Sequence, residues 1–144
     1  MAVFEASVEL ACSPETAFEF LAQPENIRLI TPSSVMLVFD AAPKRLSLGA
    51  RMKFRVQAYG VVRSAVHEVT VWDEPRKFVE RQIEGPTGAW EHEHLFEPTA
   101  HGVRVTDRIT FSPPGGMLGL LINERKMRET LEAGFEHRHL ELEK

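Results

Sequence analysis

The segment from Trp90 to Phe96 carries two histidines at a spacing that places them on one face of a strand. Side chains two residues apart in a strand point to the same side, so His92 and His94 lie between two aromatic rings. The two glutamates in between share the opposite face, which is expected to face water. An apolar face with a few convergent polar groups is typical of a ligand cavity. The segment therefore predicts a protein that binds a ligand in an internal cavity.

Asp107 is predicted to lie among apolar side chains on the next strand, where a buried carboxylate needs a partner. If Phe96 pairs with Val103, His92 lies opposite Asp107. A register shift of two residues places His94 there instead. Three interpretations stay open: a structural polar cluster that fixes the register, an acid–base pair in which Asp107 orients a histidine, and hydrogen bonds to the polar end of a ligand.

Two histidines on one face also suggest zinc, which usually takes a third protein ligand. His67 and Asp107 are candidates, but nothing in the sequence places either at ligand distance. Arg63 is predicted to share the face of His67 and argues against a cation. The sequence therefore predicts no metal site. It also contains no nucleotide-binding motif, and no cofactor is expected.

The composition indicates one soluble globular domain over residues 1–144, with 43% hydrophobic residues and a net charge of −4. That charge gives no reason to expect nucleic acid as a partner, and no apolar run is long enough for an integral membrane segment. Cys12 is the one cysteine and is expected to be a small buried side chain. With no secretory signal pattern, the expected location is the cytoplasm. The oligomeric state stays open.

Hydrophobic periodicity and turn residues predict one strand, two short helices, six strands and a long helix. The predicted strands are Val3–Cys12, Val35–Ala41, Arg51–Ala58, Arg63–Trp72, Phe78–Glu84, Ala89–Glu97 and Gly102–Phe111, and the predicted helices are Thr16–Ala22, Glu25–Ile30 and Met117–Leu142. Short links favour antiparallel neighbours. The predicted class is α+β: a curved, seven-stranded antiparallel sheet with the long C-terminal helix over a cavity.

Several short motifs, in this order and over essentially the whole chain, resemble the START-like, Bet v 1-like (SRPBCC) superfamily. Within it the chain is similar to the bacterial polyketide cyclase/dehydrase and lipid-transport group. The motifs are Ser13-Pro14-Glu15-Thr16-Ala17-Phe18, Pro24-Glu25-Asn26, Thr31-Pro32, Trp72-Asp73-Glu74-Pro75, Phe78, Gln82, Gly85-Pro86, Trp90, His92, His94, Phe96-Glu97, Asp107-Arg108-Ile109, Phe111, Pro113, Phe135 and Arg138. The chain has Ser64-Ala65 where some relatives carry an Arg-Trp pair, which implies a roomier or differently shaped cavity.

The resemblance implies the helix-grip fold and a hydrophobic ligand of polyketide, lipid or isoprenoid type. The alternative that it implies is a cofactor-independent cyclase or dehydratase, with proton transfer by His92 and His94 assisted by Asp107. A partner-binding module would require an exposed apolar patch. The expected ligand-binding residues are His67, Gln82, Trp90, His92, His94, Phe96, Asp107, Phe111, Met127, Leu131 and Phe135.

Two positions, Gln82 and Arg138, are ambiguous from the residues alone. Composition would bury Val79 and Ile83 and turn Gln82 outward, whereas the resemblance places Gln82 towards the ligand. The last helix is predicted to carry one largely apolar stripe, whose members are Leu120, Met127, Leu131, Gly134, Phe135 and Arg138. Arg138 suits either the negative end of the helix dipole or an anion.

Overall fold

A computed structural model describes residues 2–58, 61–114 and 123–143 of the chain. Its strands and helices follow the predicted order. They are β1 Ala2–Leu10, α1 Pro14–Leu21, α2 Pro24–Leu29, a 3-10 turn at Ser33–Val35, β2 Val38–Ala41, β3 Arg51–Ala58, β4 Val61–Asp73, β5 Lys77–Glu84, β6 Ala89–Thr99, β7 Gly102–Ser112 and α3 Glu124–Leu142. Within these ranges, no helix combines the length and apolar content needed to span a bilayer.

The strands form one antiparallel sheet in the order β1-β7-β6-β5-β4-β3-β2. β7 is therefore an inner strand between β1 and β6. Phe96 pairs with Val105 and His94 with Asp107, so the register that paired Phe96 with Val103 is wrong and the shifted alternative is confirmed. Both registers keep the same side chains on the same face, which is why the strand pattern could not choose between them.

Helix α1 begins at Pro14, two residues before the predicted Thr16, because Ser13 accepts a hydrogen bond from the Thr16 backbone nitrogen at 3.1 Å and Pro14 takes the first position. Its inner face buries Phe18 completely. The Phe18 ring lies 5.5 Å from that of Phe78 and 5.0 Å from that of Phe96. Helix α1 thus covers one end of the sheet.

Two further differences from the predicted elements have a clear backbone cause. The strand expected from Val35 begins at Val38, because Met36 has a left-handed backbone with φ of 52° that interrupts an extended chain. The predicted single helix from Met117 to Leu142 is not continuous: Asn123 has extended backbone angles and accepts a hydrogen bond from the Lys126 nitrogen at 2.9 Å, and α3 begins at Glu124. The predicted first turns, 117–122, lie outside the described residues.

The predicted apolar stripe of α3 is confirmed at Met127, Phe135 and Arg138, which are buried, while Leu131 is half-buried. The predicted stripe member at position 120 lies outside the described residues. The Phe135 ring packs against that of Phe4, with centroids 5.5 Å apart. Helix α3 therefore covers the other end of the sheet from α1.

Among the described residues, the buried hydrophobic side chains form two clusters. The first lies under α1 and includes Phe18, Phe78 and Phe96. The second lies under α3 and includes Phe111 and Phe135. Along β7, Val105 belongs to the first cluster and Ile109 to the second, with Asp107 between them. The fold therefore places a row of polar side chains between two apolar regions.

Candidate functional site

The row of polar side chains crosses the inner face of the sheet, and we call it the polar band. It runs from β4 through β5 and β6 to β7, and α3 contributes a guanidinium. Its members are His67, Glu80, His92, His94, Asp107 and Arg138. Asp107 is fully buried, and the side chain of Glu80 retains 14% exposure. Strand pairing creates the band, because Glu80 lies opposite His92 and His94 lies opposite Asp107.

At its centre, two stacked imidazoles lie between two carboxylates. The rings of His92 and His94 are 3.8 Å apart between centroids. On the side of Asp107, His92 Nε2 is 2.7 Å and His94 Nδ1 is 3.4 Å from Oδ1. On the side of Glu80, His92 Nδ1 is 3.4 Å and His94 Nε2 is 3.7 Å from Oε1. Each ring thus turns one nitrogen to each carboxylate.

Asp107 is held as a carboxylate by its surroundings. Burial alone would raise its pKa, but the nearby Arg138 charge and the hydrogen bond from His92 outweigh burial and lower the pKa. Arg138 Nη2 lies 3.7 Å from Asp107 Oδ1, which makes an ion pair longer than a hydrogen bond. The end of α3 is therefore joined to the centre of the sheet by a buried pair of opposite charges.

Glu80 is held in the same charge state by histidines. Burial opposes ionisation, yet contacts from His67, His92 and His94 lower the pKa of Glu80 well below its usual value. His67 Nδ1 lies 3.8 Å from Glu80 Oε1, and its ring packs edge-on against Phe54 with centroids 4.8 Å apart. The band therefore contains two ionised carboxylates.

The two central histidines differ in proton affinity. Burial disfavours the charged form of His92, but Asp107 and Glu80 more than compensate and raise its pKa. Burial and then repulsion from His92 lower the pKa of His94 to about 4. Stacking of the His94 ring on Phe78, with centroids 4.1 Å apart, contributes to this burial. The pair therefore combines an imidazole that holds a proton more readily than usual with one that holds a proton less readily.

Several buried polar atoms have no hydrogen-bond partner among the described residues. Folded proteins rarely leave such atoms unpaired. They are Trp90 Nε1, both ring nitrogens of His94, Asp107 Oδ2, Nε and Nη2 of Arg138, and His139 Nε2. All belong to the polar band or to the part of α3 and β6 beside it.

The structure brings together the predicted His67, His92, His94 and Asp107. The other predicted ligand residues lie elsewhere: Phe96 is in the cluster under α1, and the cluster under α3 takes Trp90, Phe111, Met127, Leu131 and Phe135. Gln82 turns inward, yet its amide donates to the Thr87 carbonyl at 2.9 Å and its Oε1 accepts from the Thr87 hydroxyl at 2.8 Å. The Gln82 side chain thus stabilises the turn that joins β5 to β6.

The sequence interpretation missed Glu80. A usable signal existed, since Glu80 shares its strand face with Phe78, which is fully buried. The composition argument put Val79 and Ile83 inside, and it is right for Val79 but wrong for Ile83, which is 42% exposed. Arg138 was left between two roles, and the structure pairs it with Asp107.

A groove of about 500 Å³ opens between α3 and the 3-10 turn. Its volume falls within the range of small-molecule sites. Its described lining consists of Pro32, Ser34, Val35, Lys126, Glu129, Thr130, Ala133, Gly134 and His137. None of the residues predicted for ligand binding is among these, so the groove lies beside the polar band rather than in it.

A curved antiparallel sheet packed against a C-terminal helix is the helix-grip fold. In this protein a polar band lies between the two apolar clusters of that fold. Residues 1–141 match the family model described as polyketide cyclase / dehydrase and lipid transport. The chain belongs to this family, which confirms the resemblance predicted from the motifs. No curated protein matches the chain significantly.

Solved structures support the same fold. Protein TTHA0849 of Thermus thermophilus superposes with a TM-score of 0.75 at 18% identity, over 98% of this chain and 97% of that one. Protein CV1439 of Chromobacterium violaceum gives 0.75 at 12% identity, over 99% and 95%. The di-domain ARO/CYC protein StfQ of the steffimycin biosynthetic pathway gives 0.73 at 19% identity, over 99% of this chain and 49% of that one. At these identities the likeness establishes the fold alone.

Proposed function

We propose that the protein binds a hydrophobic small molecule, of polyketide, lipid or isoprenoid type, between the sheet and α3. The observation that supports this proposal is the group of buried nitrogens of Trp90 and Arg138 that have no hydrogen-bond partner among the described residues and lie beside an apolar cluster. A hydrophobic ligand that carries an oxygen atom fits both features. Its carbon skeleton packs on the cluster, and its oxygen accepts hydrogen bonds from the buried nitrogens. The family description, which names polyketides and lipids, agrees with this chemistry.

The buried nitrogens without a hydrogen-bond partner lie near Phe135 and its cluster. The Arg138 guanidinium lies 5.3 Å from the Phe135 ring centroid, and the His139 ring lies 6.1 Å from it. Trp90, with its buried indole nitrogen, packs against the same cluster. Since an indole N–H and a guanidinium only donate, the complementary ligand group is an acceptor such as a carbonyl or carboxylate oxygen.

A matched pair of probes tests this proposal. 2-Acetylnaphthalene and 2-ethylnaphthalene have nearly the same size, but only the first offers a carbonyl oxygen. We expect the acetyl compound to bind more tightly, and Trp90→Phe to weaken it about tenfold, the value of one hydrogen bond of about 1.4 kcal/mol. Binding of the ethyl compound should not change. Equilibrium dialysis with mass-spectrometric quantification measures both affinities.

Trp72→Phe is the matched control, since Trp72 packs in the other apolar cluster, 5.0 Å from Phe18. It should leave both affinities unchanged. Failure of the wild-type protein to bind either probe, or to prefer the carbonyl compound, would count against the proposal. Mass spectra of the purified protein under native and denaturing conditions would show any ligand that co-purifies.

A second candidate function is the cyclase or dehydratase chemistry implied by the resemblance. Its support is the adjacent pair of imidazoles with opposite pKa shifts, because environments that separate two pKa values mark an acid and a base. In this proposal neutral His94 removes a proton from carbon next to a carbonyl. Protonated His92, oriented by Asp107 at 2.7 Å, donates a hydrogen bond to the carbonyl oxygen.

Hydrogen–deuterium exchange at the methyl group of 2-acetylnaphthalene in D₂O tests this second candidate directly. A positioned acid–base pair is expected to accelerate exchange by about 100-fold or more over free imidazole at the same concentration. Proton NMR follows the loss of the methyl signal. His94→Gln and His92→Gln should each abolish the acceleration, and His101→Gln, at an exposed turn, should keep it. A wild-type rate equal to that of free imidazole would exclude this chemistry for the probe.

A further inference from the structure

We propose that Glu80, His92 and His94 bind a divalent metal ion of the zinc type. One ligand atom from each residue lies within 4.8 Å of the other two. His92 Nδ1 and His94 Nε2 lie 3.4 and 3.7 Å from Glu80 Oε1. In a tetrahedral site with bonds of about 2.0–2.1 Å, neighbouring ligand atoms are about 3.3–3.4 Å apart. Small side-chain rotations would bring all three atoms onto one ion.

The second ring nitrogen of His92 is already oriented as metal sites require. Histidine ligands usually donate their second ring N–H to a carboxylate, which fixes the tautomer and makes the ligating nitrogen more basic. His92 Nε2 is 2.7 Å and His94 Nδ1 is 3.4 Å from Asp107 Oδ1. Asp107 is thus a positioning residue for His92 and lies near Nδ1 of His94, and the metal would face the ring nitrogens on the side of Glu80.

The charges near the site also suit a cation. The band has two buried carboxylates and one buried guanidinium, and that guanidinium approaches Asp107 rather than Glu80. The sequence argument against a cation rested on Arg63, but Arg63 lies four residues along β4 from His67, which is about 13 Å at the rise of a strand. Repulsion from Arg63 therefore does not exclude the ion.

Two histidines and one carboxylate form the ligand set of zinc sites that keep a fourth position for water or another oxygen ligand. Nickel, cobalt and copper bind nitrogen and oxygen donors of this kind as well, so availability rather than affinity would decide which ion is carried. This inference does not require a hydrophobic ligand. It does compete with the acid–base candidate, because a metal on the imidazoles blocks the nitrogens that face Glu80; the exchange assay therefore belongs in chelator-treated protein.

Titration of the chelator-treated full-length protein with Co²⁺ tests the site. We expect one ion per chain, with the intense visible absorption of four- or five-coordinate cobalt, and displacement of that ion by one equivalent of Zn²⁺. Zn²⁺ should also raise the unfolding midpoint, because it binds the folded chain. Glu80→Gln and His94→Gln should each weaken Zn²⁺ binding at least 100-fold in competition with a chromophoric chelator.

His101→Gln is the matched control, because the same substitution is made at an exposed histidine remote from the band. Circular dichroism establishes that each variant is folded before its affinity is measured. The proposal is overturned if wild-type protein takes up less than one ion or gives only the weak spectrum of six-coordinate cobalt. It is also overturned if Glu80→Gln binds as tightly as the control. No organic ligand is present, so a negative result leaves the naphthalene experiment unaffected.

Discussion

Replacing Asp107 by asparagine is expected to destabilise the protein by about 3–5 kcal/mol at neutral pH, the usual cost of breaking a buried ion pair from one side. Asp107 is fully buried, accepts a hydrogen bond from His92 at 2.7 Å and faces Arg138 at 3.7 Å. Asparagine keeps the size of the side chain but leaves the guanidinium buried without a counter-charge. Urea unfolding followed by circular dichroism measures the change.

Asp40→Asn provides the matched control. Asp40 pairs with Arg55 at 2.9 Å, but both side chains are substantially exposed. Surface pairs contribute less than about 1 kcal/mol, so the control should change stability little. Equal effects of the two substitutions would contradict the importance assigned to the buried pair.

A double-mutant cycle separates charge from packing. If Asp107 and Arg138 stabilise each other, Arg138→Met should cost much less stability in the Asp107→Asn background than in the wild type. The same cycle tests whether Asp107 joins α3 to the sheet, because α3 holds Arg138. Additive effects would mean that Asp107 acts mainly through His92.

The inner face of β6 was predictable because alternation has a strict period of two, and His92 and His94 share that period with two aromatic rings. Asp107 followed from the same rule on β7. Their exact pairing did not, since a shift of two residues preserves every inward side chain. The histidine that lies directly opposite Asp107 is therefore decided by the geometry of the hairpin that joins β6 to β7.

The roles of Glu80 and Arg138 were harder to predict from the sequence, for a different reason. A glutamate in a strand is usually exposed, and only the pairing of β5 with β6, which sets Glu80 opposite His92, shows its role. Arg138 comes from a helix that is distant in sequence from β7. No local periodicity relates a helix residue to a strand residue, so the band as a whole is a product of tertiary structure.

The stability of the metal-free protein is expected to be greatest near pH 6.5 and to fall on both sides. In the unfolded chain both central histidines titrate near 6.5. The folded pKa of His94 is about 4, so between pH 6.5 and 4 the unfolded chain binds the additional proton and stability falls as the pH falls. A tenfold difference in proton affinity is worth about 1.4 kcal/mol, so this loss amounts to about 3 kcal/mol.

The loss of stability above pH 6.5 has the opposite cause. Asp107 and Glu80 raise the folded pKa of His92, so its stabilising contribution is complete below 6.5 and is lost as the pH rises through the raised value. Below pH 4 the lowered pKa values of Asp107 and Glu80 add a further loss, as each carboxylate is protonated. Other titratable or charged side chains near this centre are His67 on β4 and Arg138 and His139 on α3.

Free energies of unfolding in urea, measured on chelator-treated protein from pH 4.5 to 8.5, test this profile. In His94→Gln the decline between pH 6.5 and 4.5 should be much smaller, because the group responsible for it is absent. His101→Gln should follow the wild-type curve, since His101 is exposed. A wild-type stability that is constant from pH 6.5 to 4.5 would mean that His94 accepts a proton in the folded protein as readily as in the unfolded chain. The neutral imidazole required by both the acid–base and the metal proposals would then lose its physical basis.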